Sequence, residues 1–425
     1  MALPELLLRQ TRKNHLIKTL KELGSVPHFY QFFAARTISN FGNGISPVAL
    51  AFGVLGIAGA DAGSLSLVQG ARTLPILLLL IVGGTIADKY GRAKVMGLTD
   101  MWLSVLILIA AWSFISGSPS VWLLTIVGLL AGILNGVWYP AFAGLTPILV
   151  PEEKLQGANA AIGFGSNVAF MFGTVSGGIV VLYFGVGWAL AVDAITFLIA
   201  GALVYPLSKL PQPGQAERGE KVRFFKELKL GWHEFKSRSW LVTIVIAFGF
   251  INMTFEAIWA VLGALQSLEN YDGAATWGLV LGFMSIGFLL GTVIANRARP
   301  RYPLRMVMIV MLAEPLFTLA FGTSQPIIAV LITATLFGIA LDLFYVVWST
   351  TIQQNVPSES LSRVNSYDSF GSFVLGPLGI IIAGPLAVAI GIETTMVIGA
   401  SISLLAIVGA LMVPGVRNLQ AKFND

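Results

Sequence analysis

The chain has 425 residues, 56% of them apolar and only 11% charged; a soluble domain carries about 45–50% and about 25%, so the solvent for most of this surface is lipid. There is no cysteine, and the three histidines, His15, His28 and His233, stand outside the apolar runs, which excludes thiolate chemistry and a histidine cluster; no metal site, catalytic residue or cofactor is expected. The net charge of +5 would suit nucleic acid, but the placement of the charges points elsewhere and no nucleic-acid partner is expected.

In chain order, residues 1–27 are basic, with Leu16, Ile17, Leu20 and Leu23 at helical spacing. Leu6-Leu7-Leu8 is too short for a secretory signal and the charges follow it, so this segment predicts a helix lying on the inner leaflet. A first bundle, 28–207, holds apolar runs long enough to cross a bilayer at 30–57, 65–86, 95–116, 121–148, 159–184 and 187–207. Residues 208–239 form the one long linker, opening with Pro211-Gln212-Pro213-Gly214 and continuing as a basic amphipathic helix. A second bundle, 240–413, holds runs at 240–265, 275–296, 304–322, 327–350, 366–388 and 392–413, and 414–425 is a tail. The fold class expected is an all-α membrane protein of twelve spans in two six-helix bundles.

Nearly every Lys and Arg falls on alternate joints: 2–3 (Lys89, Arg92, Lys94), 4–5 (Lys154), 6–7, 8–9 (Arg297, Arg299, Arg301, Arg305) and 10–11 (Arg363), with the two ends of the chain. The opposite joints carry only acids: Asp61, Glu269, Asp272 and Glu393. Positive loops stay cytoplasmic, so both termini are expected inside, in a multi-pass membrane protein, with anionic lipid as the partner of the bases.

The halves repeat. Gly132-Ile133, Tyr139, Val150-Pro151, Glu153, Leu155, Asn159 and Phe164-Gly165-Ser166 recur 206 positions later as Gly338-Ile339, Tyr345, Val356-Pro357, Glu359, Leu361, Asn365 and Phe370-Gly371-Ser372. Chance would match roughly two or three positions in such a stretch. Both copies fall at cytoplasmic joints, so the repeat is parallel and its axis runs along the membrane normal.

Spans 2 and 3 are joined by Gly84-Thr-Ile-Ala-Asp88-Lys89-Tyr-Gly91-Arg92-Ala-Lys94. This resembles the GxxxD(R/K)xGR(R/K) signature of the major facilitator superfamily, with a degenerate second copy at Ala295-Asn296-Arg297. Arg36-Thr37-Ile38-Ser39-Asn40-Phe41-Gly42, Ala71-Arg72-Thr73-Leu74-Pro75 and Val356 through Asn365 look like the branch holding bacterial macrolide-efflux and siderophore-exporter proteins. That resemblance implies export of a small molecule driven by proton entry. Two positions depart from it: Asn43 stands where many relatives carry an acid, and Gly173-Thr174-Val175-Ser176-Gly177-Gly178 has Thr174 in place of the proline of the antiporter motif GPxxGG.

The resemblance also implies a conformational latch of Gly84, Asp88, Gly91, Arg92 and Asp100. Asp88 can accept from the N-terminal amides of a neighbouring helix, expected to be span 11 near Tyr367, and Arg92 can pair with an acid, Asp100 lying two turns on. Opening the inner face would break these contacts. Ionisable groups inside spans are costly, at least ~2.5 kcal/mol each near the centre; here they are Arg36, Arg72, Asp193, Glu256, Glu314 and Asp342. In the superfamily spans 1, 4, 7 and 10 line the cavity, which selects Arg36, Glu256 and Asp342 for proton coupling and leaves Asp193 and Glu314 as packing groups. Desolvation favours the protonated form of a carboxyl, and open water or an approaching cation favours the charged one, so a cavity carboxyl can load outside and release inside. Arg36, Asn40, Asn43 and Pro47 share one face of span 1. With Asn135, Trp138 and Tyr139 on span 4 and Tyr345 and Trp348 on span 10, they are the candidate substrate wall, suited to a large amphiphilic or cationic ligand.

The chain has no phosphate-binding GxxxxGKS loop, so ATP is not its direct power source. The expectation is a monomeric, proton-coupled exporter of small amphiphilic compounds, drug-like or siderophore-like. Its rivals are an importer or facilitator of a polar nutrient, which calls for a cavity rich in amides and charge, and a membrane sensor or assembly factor, which calls for a decayed latch motif.

Overall fold

Inside a bilayer every backbone N–H and C=O must be satisfied within the chain, which leaves apolar runs of this length only the helix. The computed structural model describes residues 23–210, 232–295, 297–298 and 300–421, and among them no strand occurs. Among the described residues twelve helices are long and apolar enough to cross a membrane. The first six are α1 (Phe29–Leu55), α2 (Ala62–Tyr90), α3 (Arg92–Ile115), α4 (Val121–Leu149), α5 (Leu155–Phe184) and α6 (Val186–Val204). The second six are α7 (Ser239–Asn270), α8 (Ala274–Ala295), α9 (Pro303–Gly322), α10 (Ile327–Asn355), α11 (Ser358–Phe373 continued by Gly376–Ile390) and α12 (Ile392–Met412). The leaflet-bound helix expected before residue 23, most of the linker helix, and Asn296 of the second signature copy lie outside the described residues.

Three of the second six are interrupted. In α9, Pro315 lacks the N–H that would bond back to Met311 and its ring crowds that carbonyl, so the helix stops at Val310 and restarts at Ala313. Pro377 does the same to Phe373 in α11, where the break falls at Val374-Leu375. In α7 the winding widens to a π-turn over Ile258–Leu262, a feature frequent at functional sites.

The repeat extends well beyond the matching residues. Gly132 of α4 lies against the Arg72 carbonyl of α2, and Gly338 of α10 against the Met284 carbonyl of α8. Gly173 of α5 meets the Phe41 carbonyl of α1, and Gly379 of α11 meets that of Met253 in α7. These approaches need the absent Cβ, because small residues let helix backbones touch. Gly185 and Gly391, 206 apart, both turn the chain at φ 84, where only glycine is unstrained. The offset is 206 for α4–α10 and α5–α11 but 212 for α1–α7 and α2–α8, as Phe41 with Met253 and Arg72 with Met284 demonstrate. The second half is therefore shorter between its second and fourth helices, and an ungapped comparison sees only part of the duplication.

The bundles join along two seams, α2 with α11 and α5 with α8. The Gly384 amide donates to Ser66 Oγ at 2.8 Å, and the Gln69 side-chain amide donates to the Ala260 carbonyl at 3.1 Å. Gly178 packs on Ala274 and Gly278 on the Thr174 carbonyl. The Phe170 and Trp259 rings stack at 6.0 Å. All of these lie in the half of the molecule nearest the acidic joints. Towards the basic joints, the first segment of α11 packs on α7 and α10 of its own bundle, while its second segment carries the contact with α2. Among the described residues, the named contacts that close the space between the bundles lie towards its acidic end.

Candidate functional site

The wall of this space in the first bundle begins with α1. Arg36 is 7% exposed, and its guanidinium carbon lies 4.4 Å from the ring centroids of both Trp138 and Phe142 on α4. Such cation–π contacts strengthen when water is excluded. Its Nη1 donates to Ser39 Oγ at 3.3 Å. Behind it, Asp100 of α3 is wholly buried, close enough for its charge to act on Arg36, with the Trp138 indole on the same side. Neither Asp100 oxygen has a hydrogen bond among the described residues, so Arg36 is its only counter-charge there.

This arrangement differs from the one expected. Arg92 pairs with Asp88 at 2.8 Å, one turn away, and packs over Gly144 of α4, whereas Asp100 serves Arg36. The Asp88 side chain is half exposed, near the C-terminal end of α2. Tyr367, near which Asp88 was expected to dock, packs its ring at a tilt against Trp232 and Phe235, with centroids 5.5 and 5.8 Å away. Gly84 and Gly91 keep their places: Gly84 meets Pro140 of α4, and Gly91 turns between α2 and α3 at φ 91.

The remaining candidates of the first half divide. Asn40 donates to the Arg36 carbonyl at 2.8 Å and to Ser166 of α5 at 3.2 Å, so it ties helices together. Asn43 is half-buried, and Tyr139 is 48% exposed towards the open space. Asn135 instead lines a cavity of about 40 Å³ inside the bundle, together with Arg72 and Ser46. Asp193, wholly buried, has Arg72 and Ser46 as its electrostatic partners. In the second bundle Glu314 is likewise buried, accepts from Thr318 at 3.2 Å, and has Thr254 and Ser403 as neighbours. Both acids are closed inside their own bundles.

The second half repeats the aromatic scaffold with different charges. Phe248 stands where Arg36 does, 212 positions on, and stacks on Phe344, the counterpart of Trp138, at 3.7 Å. Phe344 stacks in turn on Trp348, the counterpart of Phe142, at 5.9 Å. Glu256 is half-buried on α7 beside Gly376 of α11, just before the π-turn, and takes no hydrogen bond among the described residues. Tyr345, 44% exposed, lies in the field of both Glu256 and Asp368. Asp368, on α11, accepts from the Trp348 indole at 3.0 Å and from Ser372 at 3.4 Å. Asp342 sits on the seam with α8, beside Gly291, and accepts from Thr292 at 2.8 Å. Glu256, Tyr345 and Trp348 are thus brought together, and Asp342 stands apart from them.

Asp368 escaped the sequence reading because span 11 was begun at 366, which made it an end residue; the helix starts at Ser358, and Asp368 lies nearly three turns inside it. The repeat held the missing signal, since Asp368 is aligned with Ile162. The Phe170–Trp259 stack that closes the space also went unread, since neither residue is polar or matched in the repeat.

These features place the chain among known transporters. It is 28% identical over 405 residues to the multidrug efflux pump Tap of Mycolicibacterium fortuitum, covering 91% of this chain and 95% of that one. It is 22% identical over 414 residues to macrolide efflux protein A of Streptococcus pyogenes, covering 93% and 98%. The crystal structure of the nucleoside transporter NupG superposes with a TM-score of 0.72 at 15% identity, over 91% of this chain and 98% of that one, a likeness of fold alone. The family profile described as Major Facilitator Superfamily matches residues 32–376, and the chain belongs to that family as a multi-pass membrane transporter.

Proposed function

We propose that this transporter is a proton-coupled exporter of small amphiphilic compounds, working as a monomer by alternating access, and that the arrangement described is its inward-open state. The observation that carries the reading is Glu256: a carboxyl on α7 without a hydrogen bond among the described residues, two positions before a π-turn and close to Tyr345. Such a group exchanges its proton as its surroundings change from dry to wet, which is what coupling requires. The basic joints lie on the cytoplasmic side by the positive-inside rule, so the open end faces the cytoplasm, where an exporter loads. The efflux activities named for Tap and for macrolide efflux protein A favour export over import. Anionic lipid would hold the basic joints.

The cycle follows from the seams. Loading from the cytoplasm brings the inner halves of α2 and α11 together, Asp88 exchanging Arg92 for the N-terminal amides of α11, while the Phe170–Trp259 stack parts and opens the outer face. A proton taken up there returns the transporter to the inward state. Inside-out vesicles with an imposed proton gradient and a panel of amphiphilic cations, neutral amphiphiles, siderophores and nucleosides test this. Gradient-driven uptake of at least one amphiphile is expected. Gradient-independent equilibration of polar nutrients alone would overturn the reading.

A further inference from the structure

We propose that Gln69 is the positioning residue of the outer gate: by binding the Ala260 carbonyl it holds the π-turn of α7 in the winding that aims Trp259 at Phe170, and the outer face opens when that bond is given up. This rests on the alternating-access reading and adds to it the bond that sets the balance of its two states.

The two seams share one plan and differ at one place. Gly384 of α11 lies against the Ala62 carbonyl of α2, and Gly178 of α5 lies against the Ala274 carbonyl of α8; by the offsets of the repeat these are the same contact in the two halves. Further along α2 come Ser66 and Gln69, both buried. Ser66 accepts from the Gly384 amide at 2.8 Å, and Gln69 donates to the Ala260 carbonyl at 3.1 Å. Their counterparts on α8 are Gly278 and Leu281, whose side chains can do neither. The helices that follow the same offset differ as well. The winding of α7 widens over Ile258–Leu262, whereas α1 stays a continuous α-helix through the matching stretch, Ser46 to Leu50. The side-chain amide and the π-turn are thus present together at one seam and absent together at the other.

Hydrogen-bond chemistry links them. In the π-turn the Gly263 amide reaches five residues back, to the Ile258 carbonyl, so the ladder slips by one residue and the buried carbonyls of the turn need donors from elsewhere. Gln69 brings one from the other bundle. Trp259 is the residue before Ala260, and its ring stacks on Phe170 of α5 at 6.0 Å and tilts against Phe255 of its own helix at 5.6 Å. A single turn of α7 therefore touches both seam helices of the first bundle, α2 through a carbonyl and α5 through a ring. The second pair has no counterpart either: Pro47 stands in the place of Trp259 and Gly376 in that of Phe170. Opening the outer face separates α7 from both helices. The Ala260 carbonyl then loses its donor, and winding the turn back to an α-helix gives it an amide of its own helix and swings Trp259 off Phe170.

The test uses the full chain in nanodiscs. The chain has no cysteine, so Ser118→Cys and Glu269→Cys, exposed at the acidic ends of the two bundles, take spin labels whose separation reports the outer opening. Gln69→Met keeps the bulk and loses the donor. It is expected to raise the ratio of open to closed outer face by about fivefold, the worth of one hydrogen bond, and Trp259→Ala is expected to raise it as much. The double variant should add little to either, because the bond acts through the ring. Leu281→Met, at the matching place on α8, should leave the ratio unchanged. Thermal unfolding identifies a variant that has lost its fold, and Gln69→Leu, which copies the residue of the other seam, then replaces Gln69→Met. An unchanged distance distribution in the folded Gln69 variant overturns the proposal, as does an equal rise in Leu281→Met, or effects of the Gln69 and Trp259 variants that simply add. These measurements need neither substrate nor proton gradient. Their failure would leave the exporter reading standing, and the expected ratios in a protein whose vesicles export no amphiphile would leave the gate standing without it.

Discussion

Arg36 and Phe248 occupy equivalent places on equivalent aromatic scaffolds, and their difference is the clearest case of function written on a duplicated frame. Where the first half needs a cation it also supplies Asp100 to neutralise it; where the second half has phenylalanine, no acid is required. Removing one member of a buried pair strands the other and costs about 3–5 kcal/mol, whereas replacing both with apolar groups of similar size is often neutral. Asp100→Asn and Arg36→Ala are therefore expected to lower the unfolding midpoint sharply, and Arg36→Met with Asp100→Leu to recover most of the loss. Thermal unfolding of the four proteins closes the cycle; a double variant showing the sum of the single losses would mean that the two side chains act independently. Arg36 was legible in the sequence as a cavity-helix cation, and Asp100 as an acid near the signature. Their pairing was not, because it joins α1 to α3 across the bundle, and local spacing instead suggested Arg92 as the partner.

Helix extents were legible to within a few residues wherever the ends carried turn residues, as at Gly117, Gly185 and Gly391. They were underestimated at the basic end, where α10 runs to Asn355 and α11 starts at Ser358 in polar sequence that hydropathy does not count. The interruptions of α9 and α11 follow from Pro315 and Pro377, yet Pro47, Pro75, Pro140, Pro147 and Pro385 sit inside unbroken helices, so proline alone does not locate a break. The π-turn in α7 left no mark in the sequence. The α2–α3 joint carries the prediction at this scale. Asp88 pairs with Arg92; in the proposed cycle it leaves Arg92 for the N-terminal amides of α11, so Asp88→Asn removes the charge that would close the proposed latch. Since the chain has no cysteine, spin labels at Glu153→Cys and Arg301→Cys report the inner opening without further changes. Asp88→Asn should enrich the long-distance population and slow transport by about tenfold, roughly the effect of one helix-terminus charge contact in a favourable partly buried setting. A distance distribution like that of the unmodified protein, with full transport, would remove the latch from the account.

For the whole molecule, the duplication supplies the mechanics and the departures from it supply the chemistry. The two bundles are joined along α2–α11 and α5–α8, and small-residue contacts such as Gly178 with Ala274 bring the backbones close there, as the proposed rocking motion requires. The first half sets each of its internal cations in the field of an acid, Arg36 with Asp100 and Arg72 with Asp193; the second half has acids inside its spans and no Lys or Arg there. Composition, the apolar runs and the repeat were enough to read twelve helices in two halves, because a bilayer permits few alternatives. Substrate chemistry was not readable from them, since it depends on which acids remain unpaired once the helices pack. The most direct measurement of the central claim compares uphill transport with exchange in proteoliposomes, for the wild type and for Glu256→Gln. The account predicts that the wild type accumulates substrate against its gradient when a proton gradient is imposed. Glu256→Gln should lose that accumulation while still exchanging labelled for unlabelled substrate, since the amide keeps the shape and loses only the titration. Full uphill accumulation by Glu256→Gln with an unaltered pH profile would contradict it.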